Sequence, residues 1–224
     1  MECYRRCMTT AAGDIRRRSG SYANGLIRRN EILKVASAQF AKRGFARATI
    51  LEIAEACGIS RAGLLHHFPD KEALLEAVLV ERDAEDRARF RPYGQLGRAA
   101  GILRGMVDLA AHNRLVPGLI ELFTRLSVEA TDVEHPAHVY FQTRYARILE
   151  STAAVLGAGV SEGAVKPDID VTSTALRLTA LMDGLQSMWL RDRTIDMAAQ
   201  METAILEALT EAGGREFLDT RISL

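Results

Sequence analysis

Residues 49–75 read TILEIAEACGISRAGLLHHFPDKEALL, and their spacing predicts two short helices joined by a tight turn. Thr49 and Glu52 stand in capping-box spacing, so the hydroxyl can accept from the Glu52 N–H while the carboxylate reaches back to the Thr49 N–H. Ile50, Ile53, Ala54 and Cys57 then share one helical face. Gly58 can take the positive φ of a tight turn, and Ser60 is a natural N-cap for a helix running through Phe68. Pro69 ends that helix. Asp70 caps a longer one that keeps Leu74, Leu75, Val78 and Leu79 on one side. A corner of this kind is used to lay its second helix in a DNA major groove.

Charge supports the same reading. Residues 1–71 hold 13 Lys or Arg against six Asp or Glu, while the whole chain balances 29 against 29, so residues 72–224 hold 16 against 23. A basic head on an acidic body orients the molecule toward a polyanion before contact forms. No apolar run reaches the roughly 18 residues of a membrane span, and the basic N-terminus lacks a signal-peptide core. Three cysteines, Cys3, Cys7 and Cys57, make no disulfide framework. These features predict a cytoplasmic protein with no membrane partner.

Outward from the corner, helical spacing recurs from residue 25 to residue 212, and nothing alternates at period two. The first helix, near 25–43, carries Leu33, Ala36 and Phe40 on one side and stops at Gly44. The fourth, near 71–90, turns strongly charged over Glu81–Arg91 and is expected to break at Pro92 and Gly94. Further helices are predicted near 95–112, 118–130, 136–157, 171–191 and 195–212, with a loop over Gly157–Asp170. The expectation is an all-α fold of about nine helices, an N-terminal three-helix helix-turn-helix head on a C-terminal helical bundle. It divides into a basic flexible arm (1–24), a DNA-binding head (25–71), a ligand-sensing and dimerisation body (72–212) and a tail (213–224).

Thr49, Ile53-Ala54, Gly58-Ile59-Ser60, His66-x-Phe68 and Lys71-Glu72, with Ile32-Leu33, Ala36, Phe40 and Gly44 upstream, closely resemble the DNA-binding head of the tetracycline-repressor (TetR) family. The phrases Glu129-Ala130-Thr131, His135-Pro136-Ala137, Asp183-Gly184-Leu185-Gln186 and Trp189-Leu190 are similar to the bodies of many such regulators. One departure stands in the recognition helix. The family commonly has Tyr where this chain has Leu65, leaving His66 and His67 as the neighbouring phosphate donors. The resemblance implies a dimeric repressor on a palindromic operator, released by a small apolar or amphipathic effector. A ligand-independent or architectural DNA-binding protein is the alternative. An enzyme is the more distant one, since no glycine-rich phosphate loop, nucleophile elbow, zinc-hydrolase helix or diagnostic carboxylate pair occurs, and no cofactor is predicted.

Candidate sites follow from these readings. Arg61, Ala62 and Gly63 occupy the first turn of the recognition helix, where an Arg can pair with guanine O6 and N7. Thr49, Ser60 and Lys71 stand at helix starts suited to phosphates, and Leu65, His66 and His67 complete the DNA-binding set. Arg16-Arg17-Arg18 is either an arm for the minor groove or a solvated tail. In the body, Met106, Phe123, Leu126, Tyr140, Phe141, Tyr145, Met182 and Trp189 are core or pocket wall, and Gln186, with Arg144 and Asp183, could orient a ligand. Leu178, Leu185, Met201, Ile205 and Leu209 repeat at helical spacing and are candidates for a four-helix dimer contact, or else for internal packing. Metal roles for Cys3 and Cys7, for His66-His67 and for His135 with His138 are disfavoured by ligand spacing.

Overall fold

A computed structural model describes residues 25–220, so Cys3, Cys7 and the Arg16–Arg18 run lie outside the described residues. Ten helices and no strand occur among these residues: α1 (25–43), α2 (Ile50–Ala56), α3 (Arg61–His67), α4 (Lys71–Gln95), α5 (Ala99–Asn113), α6 (Pro117–Glu129), α7 (His138–Ser161), α8 (Val171–Trp189), α9 (Met197–Ala208) and α10 (Glu211–Asp219). The all-α expectation holds with one helix more than anticipated.

The head forms as its local chemistry dictates. Thr49 and Glu52 make both halves of the capping box. Gly58 turns the chain at φ 66°. Ser60 Oγ accepts from the Gly63 N–H at 3.0 Å, and Asp70 accepts from the Ala73 N–H at 2.7 Å. The apolar faces of α1, α2 and α3 close over Ile32, Phe40, Ile53 and Leu64, all without measurable exposure. This core does not stop at the head. It continues through Leu75, Val78 and Leu79 of α4 into Leu122 and Leu126 of α6 and Phe141 of α7.

A second core, built on α5, α7, α8 and α9 and closed by Phe217 of α10, fills the far end. Three boundaries differ from expectation because packing overrides local signals. Helix α4 runs through Pro92 to Gln95. Proline costs a helix one hydrogen bond, but Tyr93 next to it is fully buried and its hydroxyl donates to Asp108 of α5. Gly105 of α5 leaves room for that packing, since a Cβ there would stand 3.0 Å from the Phe90 and Tyr93 rings.

Helix α7 likewise continues through Gly157 and Gly159 to Ser161 instead of ending at 157. Gly159 serves close approach, not a turn: a Cβ would lie 2.4 Å from Val165 Cγ2 and 2.9 Å from Ala99 Cβ. Helix α9 ends at Ala208, and the described part of the expected tail belongs instead to α10, capped by Thr210. The cap seats Gly213 against the chain before α8, where a Cβ would meet the Ala164 carbonyl oxygen at 2.0 Å.

The apolar stripes of α8 and α9 are used inside the chain. Leu178, Leu185, Met201, Ile205 and Leu209 are all buried in the second core, among α5, α7 and each other. Within the single chain these side chains therefore face inward. Periodicity identified a buried face but not what buries it.

Candidate DNA-reading head and effector cavity

Helix α3 is anchored by Leu64 and presents Arg61, Ala62 and His66 to solvent, with Gly63, Leu65 and His67 half-buried. Because Ser60 occupies the Gly63 N–H, Arg61 projects from a fixed first turn. Among the described residues no side-chain hydrogen bond or ion pair engages its guanidinium. Replacing Arg61 by Ala is expected to cost about 1–3 kcal/mol of operator binding and to relax preference at one base pair per half-site. A competition assay across single-base operator variants checks this, and a uniform loss over all variants would assign Arg61 to phosphate instead.

Two of the residues expected to hold phosphate are already engaged in the fold. The Thr49 hydroxyl donates to Glu52 Oε2 at 2.9 Å, and Arg43 lies 2.5 Å from the other Glu52 oxygen. These contacts hold the Glu52 carboxyl below its usual range, the Thr49 hydrogen bond contributing most. Lys71 donates to the Phe45 carbonyl at 3.0 Å and sits 4.3 Å from the centre of the Phe45 ring. An ammonium has three donors, so Lys71 can brace the α1–α2 loop and still face a phosphate. Lys71→Ala is expected to weaken binding to every sequence alike and to lower the salt slope by about one. A salt titration that kept its slope would leave Lys71 only the bracing role.

The loop braced by Lys71 also touches the body. The Phe45 N–H donates to Glu129 Oε2 at 3.4 Å, and the Phe45 and His135 rings meet edge to face at 5.4 Å. His138 pairs with the Ala130 carbonyl at 2.9 Å. His135 thus serves the head–body joint and His138 ties α7 to the end of α6, and no group of three or more potential metal ligands occurs among the described residues.

The body contains a cavity of about 440 Å³ between α4, α5, α6, α7 and α8. Met106, Phe123, Phe141, Tyr145, Met182 and Gln186 line it, as do Arg144 and Asp183. Three expected wall residues do not. Leu126 points into the core shared with the head. Tyr140 turns away from this cavity and donates to Asp83 at 3.0 Å and to the Leu79 carbonyl at 3.3 Å. Trp189 is packed in the second core beneath the Arg193 guanidinium, 3.8 Å from its ring centre.

One end of the cavity is ionic, and its α4 members were not among the expected site residues, the sequence having marked Glu81–Arg91 only as strongly charged. Arg82 and Asp83 are only 7% and 6% exposed. Asp83 accepts from Arg144, from Arg147 at 2.6 Å and from Tyr140. Arg82 donates to Asn113 at 3.2 Å and lies 3.0 Å from Asp86. Burial, together with Arg82 and Arg147 nearby, pulls Arg144 down to about 10. Loss of water raises the Asp86 carboxyl, an effect opposed chiefly by Arg82. On the opposite wall Asp183 accepts from the Tyr145 hydroxyl at 2.6 Å, and both groups are pushed up, mainly by desolvation. The signal in the sequence was register. Leu75, Val78, Leu79, Arg82, Asp83, Asp86, Phe90 and Tyr93 continue one helical face.

Comparison with known proteins agrees with this arrangement. Residues 32–78 match the family model for bacterial regulatory proteins of the tetR family. The chain is 29% identical over 160 residues to the HTH-type transcriptional repressor KstR2 of Rhodococcus jostii, covering 64% of this chain and 71% of that protein. It is 30% identical over 160 residues to the HTH-type transcriptional repressor AcnR of Corynebacterium efficiens, covering 71% of this chain and 80% of that one. A solved TetR-family regulator from Rhodococcus sp. superposes with a TM-score of 0.68 at 25% identity, over 82% of this chain and 98% of that one. No helix among the described residues is long and apolar enough to cross a membrane. Head, body and relatives agree that this chain belongs to the TetR family of bacterial DNA-binding transcriptional regulators.

Proposed function

We propose that the protein is a homodimeric repressor that binds a palindromic operator and is released by a small amphipathic effector. The observation that carries this reading is that one helix serves both sites. Helix α4 begins at the head, where Lys71 holds the Phe45 carbonyl, and its middle supplies Arg82, Asp83 and Asp86 to the cavity. A molecule that binds better to one position of α4 shifts the spacing of two recognition helices, and a coupling of about 1–3 kcal/mol changes operator affinity from several-fold to about a hundredfold. The functional division is accordingly a reading head over 25–71 and a sensing and dimerisation body beyond it, extended through α10.

The dimer face proposed here replaces the buried stripes. Leu176 and Met188 are 55% and 58% exposed, and with Ala180 and Gly184 they stand four residues apart along the outside of α8. On neighbouring α7, Ala146, Ala154 and Ala158 are exposed as well. Small side chains allow helices to approach closely, and a second copy supplies the same surface in reverse by two-fold symmetry.

Cell-free transcription from a promoter overlapping the selected operator tests the regulatory sign. The protein is expected to silence that template and to leave an operator-less template active. Increased transcript would identify an activator.

A further inference from the structure

The ionic end of the cavity has a composition that specifies a ligand chemistry. The wall carries four guanidinium groups, Arg82, Arg87, Arg144 and Arg147, against three carboxylates, Asp83, Asp86 and Asp183. Of these acids, Asp183 is held across the cavity by the Tyr145 hydroxyl. Asp83 accepts from Arg144, Arg147 and Tyr140, so one carboxylate serves three donors, and Asp86 Oδ2 takes a second, longer bond from Arg144 at 3.5 Å. Asp86 has an oxygen without an aligned hydrogen bond, but that oxygen already faces Arg82 at 3.0 Å. The cavity wall is therefore richer in guanidinium than in carboxylate, with Glu85 pairing with Arg82 at 3.9 Å from outside it, and Arg144 is held among cations in a poorly hydrated place.

The cluster also divides two spaces. Asp83, Arg87, Arg144 and Arg147 line the 440 Å³ cavity and, on their other side, a second of about 670 Å³ that runs between α4 and α7 toward Asp70. The bonds from Asp83 to Arg144 and Arg147 are thus the latch that fastens the middle of α4 to α7. Asp83 stands 12 residues along α4 from Lys71, which is about 18 Å of helix.

We propose that the effector is an amphipathic molecule with an anionic end group, and that it acts by taking Arg144 from Asp83. Its apolar part lies against Met106, Ile120, Phe123 and Met182, while a carboxylate, sulfonate or phosphate oxygen accepts the Arg144 bonds. Asp83 then loses its main partner, α4 is freed from α7, and the head moves with it. This inference rests on the effector-sensing reading and adds the charge of the ligand and the bond it breaks.

The test compares two dyes with the same rings, anilinonaphthalene sulfonate and its uncharged parent phenylnaphthylamine, on the full-length protein. The sulfonate is expected to bind at least about tenfold more tightly than the parent, and to weaken operator binding where the parent does not. Arg144→Gln should bring the sulfonate down to the affinity of the parent. Arg144→Lys should recover part of the difference, which separates lost charge from lost folding. Asp83→Asn, by removing the competing anion, should raise sulfonate affinity several-fold. Equal binding of the two dyes, or a sulfonate affinity unchanged in Arg144→Gln, would overturn the anionic assignment and leave the cavity as an uncharged sensor site. Failure of both dyes to bind would remove the sensing reading itself, and this inference with it.

Discussion

Asp83→Ala is expected to lower the free energy of unfolding by about 3–5 kcal/mol, the cost of removing one partner from a buried ion cluster. Asp83 is buried and is the carboxylate that receives Arg144, Arg147 and the Tyr140 hydroxyl. Truncation leaves the largely buried Arg144 guanidinium with only its longer bond to Asp86 at 3.5 Å, and leaves the Tyr140 hydroxyl with only its longer bond to the Leu79 carbonyl. Arg147 is half-exposed and adds little, since water screens it. Asp83→Asn keeps an acceptor and should cost clearly less. Denaturant titration of the three proteins measures the order. A loss below about 1 kcal/mol for Asp83→Ala would show that the cluster does not fasten α4 to α7.

Paired replacement of Ala180 and Gly184 by Glu is expected to give a folded monomer whose operator affinity falls by about a hundredfold or more. Both positions are exposed on α8, and a Cβ at Gly184 would meet open space, so the single chain tolerates the change. Two-fold symmetry would bring the four introduced charges together in an apolar contact. Each separated head would then bind a half-site alone and lose the gain of linked binding, which is commonly a factor of about 10² to 10⁴. Leu115→Glu is the control, being 76% exposed in the turn between α5 and α6. Light scattering and circular dichroism read the outcome. An intact dimer would move the interface off α8.

The parts of this molecule legible in its sequence are those decided within a few residues. The bonds of Thr49, Ser60 and Asp70 each close over three positions, so the corner, its caps and the exposure of Arg61 could be read directly. The apolar register of α4, α8 and α9 was equally plain as register. Its partner was not, because a stripe of Leu178, Leu185, Met201 and Ile205 looks the same whether it meets another helix of the chain or a second copy. Pro92, Gly157 and Gly159 read as breaks because their local cost is visible. The Tyr93–Asp108 bond and the Val165 contact that offset it join residues 15 and six positions apart. The ionic latch was hidden for the opposite reason. Charged residues are seldom buried, and only the continuation of the Leu75–Leu79 face onto Arg82 and Asp83 marks them as inward. Leu126, Tyr140 and Trp189 lie close to the cavity wall in sequence, but their side chains face the head core, the latch and the second core.

Selection of duplexes from a random-sequence pool by the purified full-length protein tests the central claim, that paired α3 helices read DNA. The account predicts an enriched palindrome whose half-sites are centred about 34 Å apart or a multiple of that. It also predicts that Arg61→Ala enriches the same palindrome with one position per half-site degenerate. Recovery of no common sequence, or of a single unpaired site bound by a monomer, would contradict it.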